Sequence, residues 1–152
     1  MSATYNRSGD NKSLDGVTNA IIRAQIGTRA FTSAGLVIGS SSAAAVKIAN
    51  TVTFIIDNVF YSKTTAEIAF TDLTEQAINT TSYYLLSLDT TGAGTLTAGS
   101  ALGLPACPAG ECAIGYVKIV TGAAAFVPAT TLLSLGTLTV SYVNLSQMPL
   151  AV

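Results

Sequence analysis

Few residues of this chain could do acid-base chemistry. It has no histidine. Histidine is the commonest general base, the usual activator of a serine or cysteine nucleophile and the commonest metal ligand, so all three roles would need other residues. A hydrolytic mechanism would rest on the carboxylates outside the N-terminal region and the predicted turns, which are Glu67, Asp72, Glu75 and Glu111. The first three fall near one predicted strand end and could chelate a hard cation, but a solvated acidic edge is favoured because no calcium-loop spacing is present. We expect no enzymatic activity, no cofactor and no metal.

The two cysteines form the other chemically interesting pair. Cys107 and Cys112 frame the segment PACPAGEC, an interval wider than the redox C-x-x-C motif, and a zinc site would need further ligands. Three states stay open: two reduced thiols acting as small apolar side chains, a disulfide that closes the loop, and metal binding with borrowed ligands. A disulfide across so short a loop would fix local shape more than global stability.

The scarcity of charge is the strongest signal in the composition. Only 10% of the residues are Asp, Glu, Lys or Arg, against about 25% in a typical soluble domain, and positions 119–152 carry no charge. Ser and Thr are abundant instead, and neutral hydroxyls cost far less to desolvate than ions. We therefore expect neighbouring protein to cover much of this surface, which makes the chain a subunit of a larger assembly.

Net charge and hydropathy exclude two classes of partner. The formal net charge of −1 provides no long-range attraction to nucleic acid or to an anionic membrane. The uncharged C-terminal stretch contains Gly122, Pro128, Gly136 and Pro149 and ends in a polar/apolar alternation, so it predicts a strand and not a membrane span. The N-terminus lacks the apolar core of a signal peptide, and synthesis in the cytoplasm is the default expectation.

The chain length predicts a single domain. The residue pattern places this β-rich domain at 35–152 and an N-terminal arm at 1–34. The arm is polar up to residue 13, and positions 14–26 fit either a short helix or an extended segment. From Gly35 onward, short apolar stretches alternate with turn residues about every dozen positions, which is typical of an antiparallel sandwich or barrel, such as a jelly roll.

Individual strands and turns follow from the alternation of apolar and polar residues. The strands are predicted at 46–48, 52–56, 59–61, 67–70, 83–88, 95–98, 112–120 and 137–145. Asp57-Asn58 is the best hairpin turn because both residue types tolerate positive φ, and 89–95 is a second hairpin loop. Tyr83 and Tyr84 are adjacent in one strand, so at most one faces the core and the other could anchor an interface.

Three segments carry a resemblance to a known class of protein. They are AAAVKIANTVTFIIDNVFYSKTTAEIAFT (43–71), YYLLSLDTTGAGT (83–95) and PACPAGECAIGYVKIV (105–120). These segments resemble those of small structural proteins of tailed bacteriophage particles, particularly head decoration and capsid-fibre proteins. The resemblance implies a β-rich, often trimeric and non-enzymatic protein on the virion surface, where it binds the major capsid protein and cements the capsid lattice.

On this interpretation the arm lies over the capsid and adds contact area. Its mildly basic composition and its apolar residues give a set of candidate contacts: Arg7, Lys12, Ile21, Ile22, Arg23, Ile26, Arg29 and Phe31. The alternatives are a head or tail fibre protein that binds host glycans, a self-assembling shell or tube subunit, and a hydrolase built on a carboxylate pair.

Overall fold

The described part of the chain is an all-β protein. A computed structural model describes residues 27–39, 44–71 and 73–146. These residues form ten strands and no helix, and every strand pair is antiparallel. Within the same ranges no helix offers the length and apolarity that a bilayer crossing requires. The predicted all-β, antiparallel, sandwich-like class is confirmed.

The bounds of the third to tenth strands agree closely with the predicted segments, whereas the first two strands were not predicted. In chain order the strands are β1 Arg29–Ala30, β2 Leu36–Ile38, β3 Ala45–Ile48, β4 Val52–Ile56, β5 Val59–Lys63, β6 Ala66–Ala69, β7 Thr81–Leu88, β8 Gly94–Ala98, β9 Cys112–Thr121 and β10 Leu138–Asn144. They build three sheets, in the orders β1-β4-β5, β10-β9-β7-β8 and β2-β3-β6. Both hairpin predictions are confirmed: Asp57 and Asn58 have φ of 49° and 68° between β4 and β5, and 89–93 links β7 to β8.

A β-bulge changes which side chains of β9 face the core. Leu86 of β7 pairs with Gly115, but Ser87 pairs with Ala113, so Ile114 is the extra residue. Core-facing positions therefore shift from even numbers (Cys112, Ile114) to odd ones further along the strand. Position 115, next to the bulge, has room for glycine alone. A Cβ atom added there would lie 2.4 Å from Leu36 Cδ1 and 2.6 Å from the Val143 carbonyl oxygen, and both distances are too short for a real contact.

The three sheets enclose one apolar core. Its largest fully buried side chains are Tyr84, Phe54, Phe70, Phe126, Ile48, Ile55, Ile56, Leu86, Leu88, Ile114, Ile119 and Val46. Tyr84 faces the core and Tyr83 does not, as the alternation predicts. Ile55 is also buried, although the sequence pattern places it on the outer face of β4. The strand β4 is therefore covered on both of its faces at Ile55.

Part of the predicted arm joins the sheets. Arg29 and Ala30 pair with Ile55 and Phe54 of β4, and Ala34 is fully buried. The candidate short helix at 14–26 and the arm contacts at Arg7, Lys12, Ile21, Ile22, Arg23 and Ile26 lie outside the described residues.

Candidate protein-interaction site

The uncharged C-terminal stretch forms one end of the molecule together with the turn before β7. Gln76 and Phe126 exchange two backbone hydrogen bonds of 2.9 and 3.0 Å. Further along, Asn79 N–H donates to the Gly122 carbonyl, and Gly122 N–H donates to the Thr137 carbonyl. These bonds bring the turn at 77–80 and the loop at 122–137 to the same end of the β7–β9–β10 sheet.

Four large apolar side chains project from this end into solvent. Their exposed fractions are 52% for Ile78, 40% for Val127, 50% for Leu132 and 41% for Leu135. We call these four residues the apolar pole. Single exposed apolar residues are ordinary, but several of them at one end of a molecule make that end a candidate interaction surface.

The chain around the apolar pole carries no charge over long stretches. No ionised side chain occurs in 76–88 or in 119–146, and Glu75 and Lys118 border these stretches in sequence. A partner that covers the pole therefore desolvates alkyl groups and hydroxyls, without the larger cost of stripping water from ions.

Gln76 holds the turn beneath the pole in place. Its side chain is only 5% exposed, and its Nε2 donates to the carbonyls of Thr80 and Ile119 at 3.1 and 3.0 Å. The Tyr84 hydroxyl donates to Gln76 Oε1 at 3.0 Å, and burial raises the pKa of that hydroxyl. Because every polar atom of this buried amide group has a partner, the network fixes one conformation of the turn.

Thr121 provides a second attachment for the same turn. Its hydroxyl donates to the Ala77 carbonyl at 2.6 Å and accepts from Thr80 N–H at 2.9 Å. Below both networks, the rings of Phe70, Tyr84 and Phe126 pack edge-to-face with centroids 5.2 to 5.8 Å apart. The pole is thus an irregular surface on a rigid base, which keeps the entropic cost of binding low.

The cysteines lie at the opposite end of β9, beside an open cavity of about 580 Å³. Cys107, Glu111 and Arg29 are among its lining residues. Both Cys107 and Cys112 are free thiols. Ser87 Oγ donates to Glu111 Oε2 at 2.5 Å, and Cys107 Sγ donates to the Glu111 carbonyl at 3.5 Å.

The thiols are held in their protonated form. Burial and the nearby Cys107 raise the pKa of Cys112 to about 12, while burial and the Glu111 carboxylate raise the pKa of Cys107. A thiol is a nucleophile or a metal ligand only as the thiolate, so neither cysteine is activated for such chemistry near neutral pH.

The predicted carboxylates do not form a site among the described residues. Glu67 lies opposite Lys47 in the β3–β6 ladder, and Asp72 lies outside the described residues. Glu75 is exposed directly before the buried Gln76, and Glu111 precedes the first residue of β9. In 27–39, 44–71 and 73–146, no three or more acidic or cysteine side chains are grouped so that they could hold a metal.

Two other predicted contact residues lie in or next to β1, the outer strand of the β1-β4-β5 sheet on the side opposite β5. The Phe31 ring stacks on the Phe60 ring with centroids 5.5 Å apart, and Arg29 belongs to β1 in the same sheet. Tyr83, the tyrosine outside the core, packs beside Tyr116 at 6.0 Å, with Lys118 Nζ 5.8 Å from its ring centre.

Sequence reasoning did not single out any residue of the apolar pole. The uncharged run includes three of the four, but Val127, Leu132 and Leu135 lie in a loop without apolar periodicity, and Ile78 is a lone apolar residue in a turn. The signal that could have found three of them is the concentration of large apolar residues in a segment rich in turn residues.

Comparisons with protein-family models, with curated protein sequences and with solved structures found no match to this chain.

Proposed function

We propose that this protein is a structural subunit of a virus particle, a decoration protein that attaches to the capsid surface by its apolar pole. The observation that carries the proposal is the pole itself: four exposed large apolar side chains on a hydrogen-bonded, uncharged base. Rigid, apolar, charge-depleted surfaces are typical of the central part of protein interfaces. The resemblance of three segments to head decoration and capsid-fibre proteins supplies the virion, the major capsid protein as partner and the trimer as oligomer.

The chemistry of the described residues favours binding over catalysis. Both thiols have raised pKa values, and in the part of the chain that the structure describes no three acidic or cysteine side chains are grouped to hold a metal. The protein therefore acts by covering and joining protein surfaces, with no cofactor. The N-terminal arm adds contacts to the capsid in this proposal.

The first test measures binding to capsids that lack this protein, by co-sedimentation over a range of concentrations. Leu132→Lys and Ile78→Lys each place a charge in the pole, and we expect each to raise the apparent Kd at least about tenfold, which corresponds to about 1.4 kcal/mol. Val37→Lys is the matched control, because Val37 is a 42% exposed apolar residue on β2, away from the pole. Wild-type binding by both pole variants would overturn the proposal.

A second test examines the arm. Because Ala30 is buried and β1 pairs with β4, a deletion through residue 30 would damage the sheet, and the informative truncation removes residues 1–26. We expect the truncated chain to fold and to bind capsids more weakly. Undiminished affinity would exclude the arm as a contact.

A glycan-binding fibre protein is the second candidate, and Tyr83 and Tyr116 favour it. Their partly buried neighbouring rings on the outer face of the four-stranded sheet offer aromatic surface with polar hydroxyls, a chemistry suited to a half-solvated ligand. Binding of the isolated protein to a glycan array, lost in Tyr83→Ala, would support this role.

A further inference from the structure

The free edge of β5 supports an inference that goes beyond the proposed function. β5 is the last strand of the β1-β4-β5 sheet, and among the described residues only β4 pairs with it. It has no proline and no register shift, and its one charged residue, Lys63, stands at its end. Natural proteins usually protect such edges with charges, prolines or bulges, because an unprotected edge pairs with another strand.

The hydrogen-bonding pattern identifies which groups of β5 face outward. Phe31 N–H donates to the Thr53 carbonyl at 2.8 Å, so the backbone of Thr53 faces β1. Bonding direction alternates along a strand, so Phe54 faces β5 and bonds with its partner Tyr61. The N–H and C=O groups of Phe60 and Ser62 therefore point away from the sheet.

The side chains of this edge are also suited to a partner. Val59 and Phe60 are 52% and 63% exposed, and Phe60 already stacks on Phe31 within the protein. A new strand at this edge would remove apolar surface from water while it satisfies the backbone groups of Phe60 and Ser62.

We propose that the occupant is β5 of a second copy of this chain, paired antiparallel about a two-fold axis at Tyr61. In this register Phe60 of each copy lies opposite Ser62 of the other, and these residues exchange four backbone hydrogen bonds. Val59 of each copy lies opposite Lys63 of the other. The two Phe60 rings become diagonal neighbours on one face, within reach of each other.

The self-complementarity of the edge selects this pairing. The outward N–H and C=O groups of Phe60 and Ser62 are matched by those of the same two residues in a second copy, so the pairing leaves none of them without a partner. The charges do not set the register: Asp57 lies in the β4–β5 turn with a φ of 49°, and the Lys63 side chain lies beside Gly92 of its own chain.

The contact is closed and distinct from the apolar pole. An isologous pair uses the edge of both copies, so association through β5 stops at two. If the proposed trimer also forms, the β5 contact joins trimers to one another, and it persists in the absence of capsid.

Sedimentation velocity of the purified full chain over a concentration range tests the proposal. We expect self-association that Phe60→Lys weakens at least about tenfold in Kd, while the control Val37→Lys, on the edge strand β2, leaves it unchanged. Ser62→Pro removes an outward N–H group that does not bond to β4, and we expect it to weaken self-association as well. It provides the test if Phe60→Lys folds poorly. Association unchanged in both edge variants, or a strictly monomeric wild-type chain, would overturn the proposal.

Because no capsid is present in the sedimentation experiment, its outcomes are independent of the capsid-binding tests.

Discussion

The apolar pole and the free edge of β5 both expose large apolar side chains, but they differ in what the backbone offers a partner. At the pole, the turn and loop satisfy many of their own backbone groups through hydrogen bonds such as those of Gln76 with Phe126. At the edge, the backbone groups of Phe60 and Ser62 point outward. The pole can therefore bind by shape and apolar burial, whereas the edge requires another strand in a defined register.

The same contrast extends to charge. The pole lies in segments without ionised side chains, while the β4–β5 hairpin carries Asp57 in its turn and Lys63 at the end of β5. In our proposals the pole is the contact that tolerates a range of partner sequences, and the edge is the contact that requires a strand in a defined register.

The largest expected effect comes from loosening the base of the pole without touching its surface. Gln76→Leu removes the partner of the Tyr84 hydroxyl and a donor to the Ile119 carbonyl, while the Thr80 carbonyl keeps the Thr121 N–H as a donor. We expect a loss of about 2 to 4 kcal/mol in the free energy of unfolding, at 1 to 3 kcal/mol for each buried polar group that loses its partner. Ser62→Ala, at the exposed edge, is the control and should change stability by less than about 0.5 kcal/mol. Equal stability of the two variants in urea unfolding would contradict the rigid-base account.

Alkaline pH acts on the end of the molecule opposite the pole. The pKa of Cys112 is raised to about 12 in the folded state from 9.0, so its contribution to stability is fully present below pH 9 and is lost as pH rises toward 12. Between pH 9 and 11 we expect a loss of about 2 to 3 kcal/mol from this residue. Tyr84 and Tyr142, whose pKa values are raised by burial, add to the loss above pH 10.

Cys112→Ala isolates the cysteine contribution. The variant should lose less stability between pH 9 and 10 than the wild-type protein in urea titrations, although its stability at pH 7 is lower because a buried side chain is shortened. Parallel pH profiles for the two proteins would show that Cys112 is not buried as a thiol.

Much of the fold could be predicted from local patterns. Alternation located the strands from β3 onward to within a few residues, and Asp57-Asn58 identified the β4–β5 turn because few residue types accept positive φ. The burial of Ile55 and the bulge at Ile114 could not be predicted in this way. Both depend on how one sheet packs on another, and that information is not local in sequence.

The candidate site was predictable only in outline. Scarcity of charge drew attention to the C-terminal stretch, but Ile78 is more than forty residues from Val127 in the chain. Their segments are brought together by long-range hydrogen bonds such as those of Gln76 and Asn79, which the local sequence does not reveal. The edge of β5 was hidden for a related reason: VFYSK is an ordinary strand sequence, and whether it ends a sheet depends on the order of strands.

Hydroxyl-radical footprinting of the protein, free and in its native assembly, tests the central claim most directly. The account predicts strong protection of Ile78, Leu132 and Leu135 in the assembly relative to the free chain, because a partner covers the pole. Val37, which is similarly exposed but remote from the pole, serves as the internal reference. Equal oxidation of the pole residues in both states, with the protein demonstrably incorporated, would contradict the claim that the pole is a protein contact.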